Sequence, residues 1–243
     1  MTLCASKRYE TVENLDLLMP FQSKQPGRAL DVGCGSGENS RLLSQWGWRV
    51  TALTCSPAEA RQTQPFCDEV LLADVATGLP TEVLKERYDL IVMSHVLEHL
   101  ADPGPILADA AKILNSDGHI AIAVPNALYW KQRVQYLAGR FEYQDTGIMD
   151  RTHLRFYTFK TGKELLTSRG FALVTATGSG HAPMPIIRPL LPKKFASAVD
   201  RRISSGFPGI FAMQLIFVGH YSDGEHSPSS GRHIQIHGEH EAA

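Results

Sequence analysis

The chain has 243 residues, 43% of them apolar and 20% charged, an ordinary globular composition whose length fits one large α/β domain. Lys plus Arg number 24 and Asp plus Glu 25, a formal net charge of -1, so there is no global basic field to hold nucleic acid or an anionic membrane. No apolar run reaches the roughly 18 residues of a membrane-spanning helix, and residues 1–16 lack a secretory signal pattern. Cys4, Cys34, Cys55 and Cys67 form no CxxC pair, so the expectation is a cytoplasmic protein with thiols in core or loop positions.

Residues 28–32 read as a short strand ending at a glycine cluster, 40–46 as a helix, and 48–54 as a second strand. A helix follows over 57–64, with proline in its first turn where the missing N–H costs nothing. Residues 69–73 form a third strand. The run YDLIVMS, 88–94, is apolar on both faces, as a central parallel strand should be. Residues 105–114 make a helix with Ile106, Ala110, Ile113 and Leu114 on one side. The sequence Asn115-Ser116-Asp117-Gly118 reads as a turn into a fifth strand over 119–124, stopped by Pro125. A helix over 161–169 and strands over 171–177 and 211–219 complete the pattern. Strands alternating with helices in this order specify a doubly wound parallel sheet. Two stretches break the alternation, 126–158 and 178–209. Both follow the carboxyl end of a strand, where open α/β sheets bind ligands, and both are expected to form the acceptor side of a domain spanning 1–221. The remainder, 222–243, is Gly, Ser, His and Glu with few apolar residues; it reads as a disordered tail in which His226, His233, His237 and His240 are solvated.

Asp31-Val32-Gly33-Cys34-Gly35-Ser36-Gly37 sits at the turn from first strand to first helix. Glycines allow the sharp turn and let a ligand lie against the backbone, and the helix behind adds free N–H groups and a positive end. The spacing is GxGxG, not the GxGxxG of dinucleotide sites. Asp31, directly before the first glycine, repels a pyrophosphate and suits a ligand bearing an ammonium group, as S-adenosylmethionine does.

Taken together, ALDVGCGSG (29–37), Asp74 after the third strand, YDLIVMSHVLEHLADP (88–103) and GHIAIAVPN (118–126) resemble the successive motifs of class I S-adenosylmethionine-dependent methyltransferases. PNALYW, Arg133, LAGRF and DRTHLRFYT, within 125–158, are similar to a subgroup linked to polysaccharide and surface-glycan pathways, and distantly to methionine-biosynthesis relatives. The resemblance implies a Rossmann-like, seven-stranded, mainly parallel sheet with the last strand antiparallel, and S-adenosyl-L-methionine as cofactor. It places Asp31, Gly33, Cys34, Gly35 and Gly37 around the methionine moiety, Asp74 and Val75 at the adenine, and Ser94 and His95 near the sulfonium. Family members usually end the second strand with an acid for the ribose hydroxyls. Here Thr54 stands there, and the nearest acid is Glu59 on the next helix.

His95-Val96-Leu97-Glu98-His99 matches the HxxEH zinc-peptidase signature, two histidines at i and i+4 on one helix face. A zinc site needs a third protein ligand, and the only downstream acids noted are Glu142 and Glu164, so no metal is expected. On the acceptor side, His153 is the candidate base, with Asp150 orienting it. Arg151 and Arg155 are candidates to grip an anionic substituent; Tyr129 and Arg133, with Trp130, are candidates to contact a sugar or to pack. The second insertion carries Arg188, Lys193, Lys194, Arg201 and Arg202 and reads as a basic lid face. The expected activity is O-methylation of a sugar, a glycan precursor or another small metabolite. The alternatives are a non-catalytic methyltransferase-like protein that binds a partner enzyme, raised by Thr54, and, remotely, the zinc peptidase.

Overall fold

The computed structural model describes residues 13–181, 183 and 192–221; the 222–243 tail and Arg188 lie outside the described residues. Seven strands, β1 (Arg28–Val32), β2 (Arg49–Thr54), β3 (Glu69–Leu72), β4 (Tyr88–Ser94), β5 (Leu114–Pro125), β6 (Phe171–Ser179) and β7 (Gln214–Tyr221), form one sheet in the order β3-β2-β1-β4-β5-β7-β6. Only β7 runs antiparallel to its neighbours. The chain winds outward from β1 to β3, then crosses back to place β4 on the other side of β1. The carboxyl ends of β1 and β4 therefore flank the switch point where such sheets open a crevice.

Alternation along the strands builds a core on each face. Leu30, Val32, Ile91, Met93, Ile120 and Ile122 pack with Ile106, Leu107, Ala110 and Ile113 of α5 (Gly104–Ile113). Ala29, Val50, Leu90, Val92, Ala121 and Ala123 face the other way, against Leu43 of α2 (Glu38–Gln45) and Leu17, Leu18 and Phe21 at the start of the described chain. Leu17 and Leu18 belong to α1 (Leu15–Leu18), a short helix capped by Asn14. Among the described residues no helix is long and apolar enough to cross a membrane.

Three expectations need correction. The sequence 115–118 is not a turn ahead of a strand but a bulge inside β5: the register steps from Tyr88↔Leu114 to Leu90↔His119. Asp89 fixes it by accepting from Asn115 Nδ2 at 2.6 Å and from the Arg28 N–H at 2.8 Å, and Gly118 fits because a Cβ there would meet the Asn115 oxygen at 2.9 Å. The last strand runs over Gln214–Tyr221 instead of 211–219, because a short helix opened by Pro208 extends through Phe211, the residue read as the first of that strand. Cys34 and Cys67 are free thiols, as expected, whereas Cys55 is disulfide-bonded.

The remaining helices are α3 (Pro57–Thr63), α4 (Thr81–Leu84), α6 (Trp130–Leu137), α7 (Phe159–Thr167), α8 (Lys193–Gly206) and α9 (Pro208–Phe211). The first insertion thus supplies α6 and the second α8 and α9. Asn126, fully buried just after β5, ties them together. Its Nδ2 faces the carbonyls of Pro208, Gly209 and Ala212 at 3.2, 3.4 and 2.8 Å, and its Oδ1 accepts the Leu128 N–H at 3.0 Å. Asn126→Asp turns this donor into a carboxylate aimed at carbonyls. It should destabilise the domain by about 3 kcal/mol, read as a lower denaturant midpoint; an unchanged midpoint would show that the insertions hold without it.

Candidate functional site

The glycine loop leaves β1 with Gly33, Gly35 and Gly37 all in the left-handed region, at φ 68°, 54° and 89°. A side chain is excluded sterically as well as conformationally: a Cβ on Gly33 would sit 2.6 Å from Val96 Cγ2, and one on Gly37 2.7 Å from Thr63 Oγ1. Gly37 begins α2 without a side-chain cap, which leaves the first N–H groups of that helix for a ligand. Cys34 is buried, and burial pushes its thiol up beyond the ordinary range; its N–H donates to the Leu53 carbonyl at 2.9 Å, stitching the loop to β2.

Beneath the loop lies Asp31, 1% exposed. Its Oδ2 accepts from Ser40 Oγ of α2 at 2.6 Å. Burial, with Glu38 adding to it, raises the pKa to about 6 against the pull of the Ser40 hydrogen bond. A carboxylate in this setting is held ready for a cation.

At the end of β2, Thr54 donates its hydroxyl to Glu59 Oε2 at 2.7 Å and accepts the Ser56 N–H at 3.1 Å. Ser56 caps α3 by accepting the Glu59 N–H. The cap fixes the first turn of α3 so that the Glu59 carboxylate reaches the strand end. The acid that the strand lacks therefore arrives from the helix. Asp74 follows β3 on the exposed rim, with Oδ1 accepting the Ala76 N–H at 3.0 Å, and Val75 packs at the margin of the core.

Ser94 ends β4 and His95 follows it. His95 has φ 57°, the one non-glycine residue with positive φ among those described, a strained conformation typical of functional turns. Its Nδ1 lies 3.2 Å from Glu98 Oε1 and its Nε2 3.0 Å from Gln214 Oε1. Desolvation against the protein opposes its charge, but the Glu98 carboxylate and Gln214 hold the imidazole above its usual pKa. Asn14 Nδ2 donates to Ser94 Oγ at 3.1 Å and to Gln214 Oε1 at 2.9 Å. Asn14 and Gln214 were not anticipated. Neither lies in a recognisable motif, and their partners are 80 and 200 residues away in sequence.

HxxEH does not form the peptidase geometry. Leu97–His99 is a single 3₁₀ turn, and His95 stands outside it with positive φ, so the two histidines do not share an α-helical face. His99 turns to the first insertion, where its Nδ1 lies 3.2 Å from both the carbonyl and the hydroxyl of Thr152. Asp150 Oδ1 accepts from the Thr152 N–H at 2.9 Å and its hydroxyl at 2.7 Å. His153 is buried, its Nδ1 3.0 Å from the Ile148 carbonyl and its ring 4.9 Å from that of His99. Burial lowers its pKa, the Glu98 charge acting in the opposite direction. The contact that orients His153 is thus the Ile148 carbonyl, while Asp150 orients Thr152. The main chain of Glu98 accepts from the Leu154 and Arg155 N–H groups at 2.8 and 3.0 Å, docking the insertion on the turn.

The remaining acceptor-side candidates are spread over the insertions. Tyr129 is buried, and its hydroxyl and the Trp130 Nε1 both donate to the His181 carbonyl, at 3.1 and 3.2 Å. Arg133 donates to the carbonyls of Leu128 and Gly209. Arg151 pairs with Asp145 at 3.0 Å on an exposed edge, and Arg155 donates to the Ala101 carbonyl at 2.8 Å.

A glycine turn over a buried acid, at the switch point of a sheet with an antiparallel β7, defines a class I methyltransferase domain. The chain belongs to the methyltransferase-domain family, whose model matches residues 5–176. Over 102 residues it is 30% identical to a ubiquinone biosynthesis O-methyltransferase of Azorhizobium caulinodans, covering 41% of this chain and 40% of that protein. Over 101 residues it is 35% identical to a trans-aconitate 2-methyltransferase of Escherichia coli, covering 40% and 38%. These matches therefore span about two fifths of each relative's length. The fold is shared with a SAM-dependent methyltransferase from Archaeoglobus fulgidus (TM-score 0.55, 21% identity, 85% of this chain and 90% of that one). It is also shared with magnesium protoporphyrin IX methyltransferase from Synechocystis, solved with bound SAH (TM-score 0.56, 15% identity, 86% and 80%).

Asp31 supplies a test with a worked sign. Its folded pKa of about 6 exceeds the ordinary 3.8, so the folded state holds the proton more tightly than the unfolded chain. Stability falls as pH rises from about 4 to 6 and stays lower above, at a cost of about 3 kcal/mol at pH 7. Asp31→Asn removes that charge. It should raise the melting temperature at pH 7, bring it level with wild type near pH 4, and abolish cofactor binding in calorimetry. A lower melting temperature at pH 7 would contradict this account of the group.

Proposed function

We propose that the protein is an S-adenosylmethionine-dependent methyltransferase that acts on a hydroxyl of a small ring-shaped acceptor. The observation that carries the reading is Asp31, a buried carboxylate beneath a turn where side chains at Gly33 and Gly37 would collide with the protein. An ammonium-bearing ligand laid on that turn satisfies the acid and fills the space the glycines keep clear. When bound, S-adenosylmethionine supplies an electrophilic methyl group on a sulfonium.

The chain's own residues then have separable tasks. Asp31 holds the amino group and the loop from Gly33 to Gly37 the methionine backbone. Glu59, steered by Thr54, accepts the ribose hydroxyls. Asp74 and Val75 border the adenine, and Ser94 and His95 border the sulfonium. On the other side His153, kept neutral by burial, is the proton acceptor for the attacking hydroxyl, with Asp150 and Thr152 bracing its neighbour His99. Holding the acceptor in line with the methyl group and excluding water supplies most of the rate.

For the acceptor, the support is an aromatic cluster on the first insertion. Tyr136 stacks on Phe141 at 5.5 Å, and Phe141 and His153 both meet Phe156 edge-on, at 6.2 and 6.4 Å. Phe141 and Tyr143 remain half exposed. Such faces suit a sugar or an aromatic ring better than an open-chain acid; a glycan precursor fits this description. In this reading Tyr129 and Arg133 act by fastening the insertion, and Arg151 and Arg155 are the cations assigned to an anionic substituent. Glu59 also bears on the non-catalytic alternative, since the missing ribose acid was its motive.

Two substitutions test the cofactor half. Glu59→Gln should weaken S-adenosylmethionine about tenfold by removing a charged acceptor. Thr54→Asp should weaken it too, because a second carboxylate would be set against Glu59. Tighter binding by Thr54→Asp would mean that Glu59 does not serve the ribose. The activity itself is tested by screening cell extract and pooled metabolites for labelled methyl transfer and weighing the product. A product methylated on oxygen supports the proposal, and binding of cofactor without any transfer would favour the partner-binding alternative.

A further inference from the structure

Glu98 presents an anomaly that the cofactor site does not absorb. Its side chain is 1% exposed, and its Oε2 has no hydrogen-bond partner among the described residues. Its other oxygen lies 3.2 Å from the Nδ1 of His95. Among the described residues no lysine or arginine pairs with it; Arg155, close by in the fold, gives its Nε to the Ala101 carbonyl. Buried polar atoms are almost always satisfied, and a buried carboxylate oxygen without a donor calls for a cation or an unseen partner.

Two imidazoles surround this carboxylate. One ligand atom from each of Glu98, His99 and His153 lies within 4.8 Å of the others. The hydrogen bonds around them select the tautomer. His153 Nδ1 faces the Ile148 carbonyl and so carries the proton, which puts the ring's lone pair on Nε2. His99 Nδ1 faces the Thr152 carbonyl and also Thr152 Oγ1, whose own proton goes to Asp150. It is therefore a donor as well, with the lone pair again on Nε2. Metal-binding histidines are held in this manner, Nδ1–H on a carbonyl or a carboxylate-backed group and Nε2 on the ion.

We infer that Glu98, His99 and His153 bind one divalent transition-metal ion of the zinc type. Two imidazole nitrogens and one carboxylate oxygen form a ligand set of catalytic zinc sites, which leave a further position open. The HxxEH motif contributes here, but not through its two histidines. His95 orients Glu98, and the third ligand comes from the insertion, 54 residues beyond His99. Zinc bonds of about 2.0–2.1 Å require the three atoms to draw closer together than 4.8 Å, which side-chain rotation and a small shift of the 150–153 turn supply. The open position suits a hydroxyl oxygen of the acceptor. The ion would then lower the pKa of that hydroxyl, whose proton leaves to solvent as the oxygen–methyl bond forms and the methyl–sulfur bond breaks. His153 is in that case a ligand and not the base. This catalytic consequence rests on the methyltransferase reading; binding of the ion does not.

The test uses the full chain, stripped with chelator and then titrated with Zn²⁺ alone. Equilibrium dialysis with metal analysis should give one tightly held ion per chain. Co²⁺ in its place should show visible absorption of a four- or five-coordinate site without thiolate charge transfer. Glu98→Gln and His153→Ala should each weaken binding by at least about 100-fold, since loss of a direct ligand should exceed the 10–100-fold cost of losing an outer partner. Absence of stoichiometric binding to the wild-type chain overturns the proposal, whether or not the variants fold. So does an ion that survives His153→Ala and is lost when His226, His233, His237 and His240 are replaced. Calorimetry with S-adenosylhomocysteine on the same stripped protein separates the two claims. Cofactor binding without metal binding defeats this inference alone, and metal binding without cofactor binding defeats the methyltransferase reading alone.

Discussion

The structure turns on a carboxylate kept where a carboxylate is unwelcome. Asp31 sits inside β1, 1% exposed, with a serine hydroxyl as its short hydrogen-bond partner. The strands that bury it also set the turn above it, because β1 must leave the sheet at Gly33 and clear Val96 from the neighbouring β4 exit. An acid retained against a desolvation cost is a standing demand for a positive ligand. The left-handed glycines, the uncapped start of α2 and the strained His95 follow the same logic. Each gives up some stability of the free protein so that the mouth of the crevice stays shaped for something else.

A second arrangement couples this crevice to the first insertion. The turn after β4 touches both. His95 meets Gln214 beside the end of β4, while the Glu98 main chain holds Leu154 and Arg155 of the first insertion. Asn126 then binds that insertion to the second one through the carbonyls of Pro208, Gly209 and Ala212. The two long segments that interrupt the alternation are therefore braced by buried polar contacts at the carboxyl edge of the sheet. A rigid frame of this kind suits a reaction that depends on alignment more than on acid–base power.

What the sequence disclosed, and what it withheld, divides along the range of the interactions. The span Tyr88–Ser94 was legible to the residue, because a strand buried on both faces is written in consecutive side chains. The glycine loop was legible because its geometry is local. The 115–118 bulge carried a real turn signal, yet only the pairing with Asp89 and Tyr88 shows that the strand resumes in register on either side. Glu59 was visible as an acid without a place; the Ser56 cap, which sets the first turn of α3, decides where its carboxylate goes. Asn14 with Gln214, and Glu98 with His153, were out of reach of local pattern. Each pair is brought together by sheet topology or by an insertion folding back, not by anything encoded nearby. The HxxEH string shows the reverse hazard, a correct motif whose helix does not form because the segment leaves a buried strand through a positive φ at His95.

The central claim, that the carboxyl ends of β1 to β4 form one cofactor surface organised by Asp31, is tested most directly by hydrogen exchange with and without S-adenosylhomocysteine. Saturating ligand should slow exchange at the amides of residues 33–38, 54–59, 74–76 and 94–95 and leave the strand interiors of β6 and β7 unchanged. Protection confined to other segments, or no protection at any of these four at millimolar ligand, would contradict the account.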